Sequence, residues 1–145
     1  GTYPLPEAQL DRFLMKTSIG YPSRSAMIDV LDGSAAPDRS KNLRPLVSGK
    51  DIVAWSALAS GNHTDRAVLD YVAALAEATR EDESSLLGVS TRGAIGMVRC
   101  DIKALAVPVW AHRIIVDPDA AFSGATSEGV IQRALTSVPA PAVGA

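Results

Sequence analysis

Gly1-Thr2-Tyr3-Pro4-Leu5-Pro6-Glu7-Ala8-Gln9-Leu10-Asp11-Arg12-Phe13-Leu14 opens the chain, and the reading of this stretch decides what the remaining residues belong to. Two prolines restrict the backbone at its start, and Pro6 suits a first helical position, where a backbone N–H is not needed. Residues 4–13 therefore read as a short helical turn. Leu14 to Ile19 reads as a strand, ended by Gly20-Tyr21-Pro22. A strand without sheet partners is expected to stay unpaired or to pair with another copy. With glycine at position 1, the chain is expected to open inside a motif and not at the start of a domain.

Outward from this stretch the pattern is helical. Ser23 is an N-cap candidate for a helix over Arg24–Leu31, which Gly33 stops. Residues 33–45 hold Gly, Pro, Ser, Asp and Lys with few apolar groups, a polar connector expected to be mobile. From Ser48 a helix places Ile52, Trp55, Leu58 and Ala59 on one face, until Gly61-Asn62-His63 breaks it. Thr64 is expected to cap the next helix, where Val68, Leu69, Val72, Leu75 and Ala76 share an apolar face. The run Arg80-Glu81-Asp82-Glu83 reads as its solvated end. Ser90 caps a helix that opens at Thr91-Arg92. Ile95, Val98, Ile102, Leu105 and Val109 then alternate at steps of three and four, which predicts one long helix to about Ile114, bent by Pro108. Asp117-Pro118 stops it, a Gly/Ala/Ser loop follows, and a last helix runs from Ser127 to about Leu135. The Pro- and Ala-rich tail from Val138 to Ala145 is expected to fray.

Composition narrows the function. A chain of 145 residues with 47% apolar residues can build one core, and only 5% aromatic content favours packed helices over a sandwich or barrel. The net charge of −2, without a basic stripe, gives no electrostatic footing for nucleic acid. A single cysteine, Cys100, excludes an internal disulfide or a cysteine-based zinc site and reads as an inert, buried thiol. No apolar run reaches the length of a membrane span and no signal peptide is present, so a soluble cytoplasmic protein is the expectation.

Catalytic kits are mostly missing. His63 reads as a turn residue, and His112 with Arg113 reads as a helix end where positive charge suits the dipole; neither histidine has metal-ligand spacing. Ser48-Gly49-Lys50 suggests a phosphate loop, but that motif needs glycine where Arg44 stands and Ser or Thr where Asp51 stands. No metal site is expected. Two arginines stand out by position. Arg12 lies on the proline-limited turn, and Arg92 lies in the first turn of a helix. A guanidinium there opposes the helix dipole unless an anion is near. That anion is either a phosphate or a neighbouring carboxylate, and the residues alone leave both open.

The opening fourteen residues with Gly20-Tyr21-Pro22 resemble the end of the nucleotide-binding core of MoxR-type AAA+ ATPases. Residues 70–80, Leu87-Gly88-Val89-Ser90-Thr91-Arg92-Gly93-Ala94 and residues 101–113 are similar to the family's helical lid. The resemblance implies a mainly α fold: a lid of four to five helices preceded by a short strand and turn left from the α/β core. In domain terms it implies a core end over 1–22, a connecting helix and linker over 23–47, the lid over 48–137 and a frayed tail over 138–145. It makes Arg12 an arginine finger acting on the neighbouring subunit's ATP, and Arg92 the sensor 2 residue touching the γ-phosphate of its own. Further implied are a homo-oligomeric ring, expected to be hexameric, a von Willebrand A domain partner, and client protein complexes assembled or activated at the expense of ATP, some by metal insertion.

The same resemblance places the phosphate loop, the Asp-Glu magnesium site and the sensor 1 asparagine upstream of Gly1. ATP and Mg²⁺ are therefore expected in the complete protein, while this chain alone is expected neither to bind nor to hydrolyse ATP well. The family also has a longer stretch where Met97-Val98-Arg99-Cys100 runs directly into Asp101, which implies either a real shortening or a gap in the sequence. Two other readings remain: a helical interaction module without a nucleotide role, and a magnesium-chelatase-like motor subunit with the same Asp-Arg-Phe ending.

Overall fold

The computed structural model describes residues 5–33, 43–98 and 100–142. The chain divides into two compact units, one made of residues 1–17 with 62–145 and the other of residues 18–61. The masses of helix expected from sequence are present: eight α-helices and a two-stranded antiparallel sheet among the described residues. Residues 34–42 of the connector expected over 33–45, the first four residues, residue 99 and the end of the tail lie outside the described residues.

The first unit opens with α1, Glu7–Leu10, whose amides at Gln9 and Leu10 bond the Pro6 carbonyl. The expected strand over 14–19 forms no ladder. Its Lys16 N–H instead donates 2.9 Å to the Pro108 carbonyl. In the second unit, α2 spans Arg24–Leu31 with Ser23 capping Ala26 N–H, and Gly33 takes the left-handed φ of 75° that ends it. The helix α3, Gly49–Gly61, buries none of its residues; Trp55 remains 54% exposed. Its start explains the false phosphate loop. Asp51 accepts from the backbone and hydroxyl of Ser48 at 2.7 Å while Ser48 Oγ accepts Asp51 N–H, a reciprocal cap that holds the Asp51 carboxyl below its ordinary range.

The core of the first unit is built on α4, Arg66–Glu81, capped by Asp65 and not by Thr64. Tyr71, Val72, Leu75, Ala76 and Thr79 are the residues it buries, so the inward face is rotated from the predicted one and Leu69 is left 38% exposed. Thr79 belongs there because both its hydroxyl functions are met: Oγ1 donates to Ala76 O and accepts Val89 N–H. A short strand β1, Ser85–Leu87, pairs antiparallel with β2, Ile115–Val116. The predicted long helix is in fact two: α5, Thr91–Met97, and α6, Ile102–Trp110, followed by a 3₁₀ turn over Ala111–Arg113. Asp101 makes the break by accepting Ala104 N–H as an N-cap, which needs non-helical backbone. Cys100 is partly buried, with Sγ donating to Gly96 O.

Asp117 caps a further short helix, α7, Pro118–Phe122, where a loop was expected. The last helix, α8, Ser127–Ser137, is capped by Thr126 and buries Val130, Ile131 and Ala134 against the core that holds Leu75 and Trp110. The acidic run after α4 is not simply solvated. Asp82 accepts two 2.7 Å bonds from Arg133 of α8, which holds its carboxyl below the ordinary range. Val138 packs partly against the core, so the tail is anchored at its start.

One close approach fixes how α4 meets the segment before α5. A Cβ on Gly88 would lie 2.7 Å from the backbone N and Cα of Arg80, so only glycine fits without moving the helix. Gly88→Ala is expected to destabilise the first unit by about 1–3 kcal/mol, read from the urea midpoint; a midpoint equal to wild type would contradict this packing.

Candidate functional site

The residue that organises the site is one that sequence reasoning assigned only to a helix end. Arg113 is buried, with its side chain 2% exposed. A guanidinium carries five N–H donors and cannot shed its charge, so burial requires an acceptor for each. All five are met. Nε donates to Asp11 Oδ1 at 3.1 Å. Nη1 donates to the carbonyls of Leu14, at 3.1 Å, and Val109. Nη2 donates to the carbonyls of Asp11, at 3.1 Å, and Phe13, at 2.7 Å. Four of the five acceptors thus belong to residues 11–14.

Small residues make room for this arrangement. A Cβ on Gly93 would lie 3.0 Å from Arg113 Cδ, and one on Gly96 would lie 3.0 Å from Leu14 Cδ1. Spaced by three, the two glycines share a face of α5. The buried Trp110 Nε1 donates to Gly93 O at 2.9 Å and locks that helix to α6. At the end of α6 the carbonyls of Pro108 and Val109 are taken by Lys16 N–H and by Arg113, so orphan helix-end acceptors become anchors for the opening segment. His112 Nε2 lies 2.9 Å from Phe13 O; as the carbonyl only accepts, Nε2 donates, and the buried Nδ1 has no partner among the described residues.

Asp11 is the meeting point. Besides Arg113, its Oδ1 accepts 2.7 Å from Ser90 Oγ, the hydroxyl that also caps α5 through Gly93 N–H. Its Oδ2 lies 3.7 Å from Arg92 Nη1. The anion that relieves a guanidinium at the start of α5 is therefore, in this structure, the Asp11 carboxylate. The Arg92 side chain is 61% exposed, so this pair is worth at most about 1 kcal/mol, whereas the Arg113 pair is shielded from water.

Arg12 is exposed; its backbone N–H donates to Gln9 O at 3.2 Å, while its side chain makes no hydrogen bond or ion pair among the described residues. The structure thus brings Arg92 to the chain neighbour of Arg12, with no bond between the two arginines. A cavity of about 670 Å³ is lined by Leu10, Asp11, Leu87, Ser90, His112 and Arg113 among others, but neither Arg12 nor Arg92 lines it. No group of three or more His, Cys, Asp or Glu able to hold a metal occurs among the described residues, and none of their helices is long and apolar enough to cross a membrane.

Comparison with known proteins gives this geometry a context. The chain is 29% identical to the chaperone MoxR1 of Mycobacterium tuberculosis over all of its own length and 45% of that protein. It is 29% identical to the protein MoxR of Paracoccus denitrificans over 97% of its own length and 52% of the other. The chain is a relative of the MoxR-type AAA+ ATPases, matching their C-terminal region. An uncharacterised Bacillus subtilis protein, YeaC, is 32% identical over 97% of the chain and 49% of its own length. The crystal structure of a candidate ATPase from Cytophaga hutchinsonii superposes with a TM-score of 0.80 at 27% identity, over 98% of this chain and 51% of that one. No protein-family model matches the chain. The chain spans about half the length of these MoxR relatives. The alignments extend over 171 and 182 residues against a chain of 145, so the MoxR proteins carry residues that this chain lacks.

Among the site residues, Asp11 has the clearest energetic signature. Asp11→Ala strands a buried guanidinium and is expected to cost about 3 kcal/mol, while Asp11→Asn keeps both acceptor bonds of Oδ1 and is expected to cost about 1 kcal/mol. Urea denaturation of the two variants checks this order; equal losses would mean that the Arg113 pair does not hold the segment.

Proposed function

We propose that this chain is the C-terminal part of an ATPase that couples ATP hydrolysis to chaperone-like assembly or activation of protein complexes, with Arg12 and Arg92 as its two contributions to catalysis. The observation that carries the reading is the contrast between three arginines. Arg113 is buried with every donor satisfied, the exposed Arg92 side chain meets only a partly buried carboxylate oxygen at 3.7 Å, and the Arg12 side chain has no partner among the described residues. Two guanidiniums kept available on a rigid support suit a reaction in which negative charge develops on a transferring phosphoryl group. Arg92 would leave Asp11 for the γ-phosphate of the nucleotide in its own subunit. Arg12 would project toward the nucleotide of a neighbouring subunit in a ring, so that hydrolysis depends on assembly.

The MoxR relatives support nucleotide and Mg²⁺ use by the full-length protein. The groups that hold magnesium are assigned to the nucleotide-binding core, and the part given to this chain is electrostatic. Ring size, a von Willebrand A domain partner, metal insertion into clients and a cytoplasmic location belong to this proposal as well.

In full-length parent protein, Arg12→Ala and Arg92→Ala are each expected to lower ATP turnover by at least about 10²-fold, given the 10³–10⁵ that such arginines supply in other NTPases. Subunits carrying Arg12→Ala should still bind nucleotide with wild-type affinity. Turnover indifferent to both substitutions would leave the helical interaction module as the better account.

A further inference from the structure

We propose that Arg113 is a positioning residue for Arg12, and that Asp11, shared between Arg113 and Arg92, couples the two exposed arginines. The proposal rests on the reading of Arg12 and Arg92 given above. The acceptors that Arg113 takes from the opening segment are the carbonyls of residues 11, 13 and 14 and the Asp11 carboxylate. Backbone on both sides of Arg12 is therefore fixed by one buried group, and the Arg12 side chain is left outside it. A rigid backbone of this kind sets the direction in which a long side chain leaves the surface, which decides whether it reaches a reacting atom.

The link to Arg92 runs through Ser90. Its hydroxyl caps α5, which carries Arg92, and donates to the same Asp11 oxygen that Arg113 holds. The start of α5 and the segment 11–14 thus share a hydrogen-bonded node. A phosphate that draws Arg92 away removes one of the two cations from Asp11 and pulls on the cap of α5, and both changes reach the residue next to Arg12. Because the Arg92 pair is exposed and weak, a nucleotide phosphate can displace it; because the Arg113 pair is buried, the support survives the exchange. By linkage, what alters Asp11 must also alter phosphate binding at Arg92.

The test uses the full-length parent protein, with ATP turnover, KM for ATP, ATP affinity and melting temperature measured for Arg12→Ala, Arg113→Lys, their double variant and Asp11→Asn. Lysine has three donors on a flexible stem and cannot replace the five-donor fork. Arg113→Lys is expected to lower kcat at least tenfold with KM changed less than twofold in protein that is folded at the assay temperature. The double variant should be no slower than Arg12→Ala. Asp11→Asn, which keeps the acceptor bonds and so guards against a folding failure, should tighten ATP binding by up to about fivefold by releasing Arg92 from its competitor. Folded Arg113→Lys with wild-type kcat, or losses that multiply in the double variant, would overturn the positioning role. Unchanged or weaker ATP binding by Asp11→Asn would overturn the coupling. Wild-type turnover by Arg12→Ala would overturn the reading beneath the proposal, an outcome distinct from a slow Arg12→Ala beside a fast Arg113→Lys.

Discussion

A buried guanidinium is the constraint on which the first unit depends. Arg113 cannot lose its charge, and water is excluded from its side chain, so each N–H needs a protein acceptor. The acceptors come from two places: the carbonyl of Val109 one turn earlier, and the segment 11–14 about a hundred residues away in sequence. Removing that segment would leave four donors unmet in a dry environment. The opening residues are therefore held against the helices by polar bonds, while Phe13 and Leu14 themselves stay 57% and 56% exposed. The apolar core of Leu75, Trp110 and Ile131 supplies the rigidity around this node, and Trp110 is tied to it directly through Gly93 O.

The arrangement sorts three arginines by environment. One is committed to structure, one is paired weakly, and one is unengaged among the described residues. Only the latter two are available to an incoming anion. This is consistent with a chain related to the C-terminal region of MoxR-type AAA+ ATPases and spanning about half of such proteins.

Much of the fold was legible because helix starts have local signals. Ser23, Ser90 and the helix from Ser127 follow from short polar side chains that satisfy amides two or three residues on. The errors have local causes too. A three-and-four periodicity ran through residues 95–109 and predicted one helix, but Asp101 competes for the backbone and divides it, leaving Ile95 69% exposed. The inward face of α4 turned toward Tyr71 and Thr79 because the latter meets Val89 N–H, a contact ten residues away that periodicity does not encode. The strands β1 and β2 are three and two residues long, too short for an alternating pattern. Arg12 and Arg92 were found by position and by resemblance. Arg113 was missed because its role is set by partners 99 to 102 residues away; the only local hint was the pair Gly93 and Gly96, which clears a path for its side chain and for Leu14.

The most direct measurement of this account is backbone ¹⁵N relaxation of residues 11–14, in the native chain and in Arg113→Lys. If the buried guanidinium holds the segment, these amides show order parameters near the rigid-backbone value of about 0.85 in the native chain and fall toward about 0.6 in the variant, while the core helices keep theirs. A segment already flexible in the native chain, or equally rigid without the five-donor fork, would contradict it.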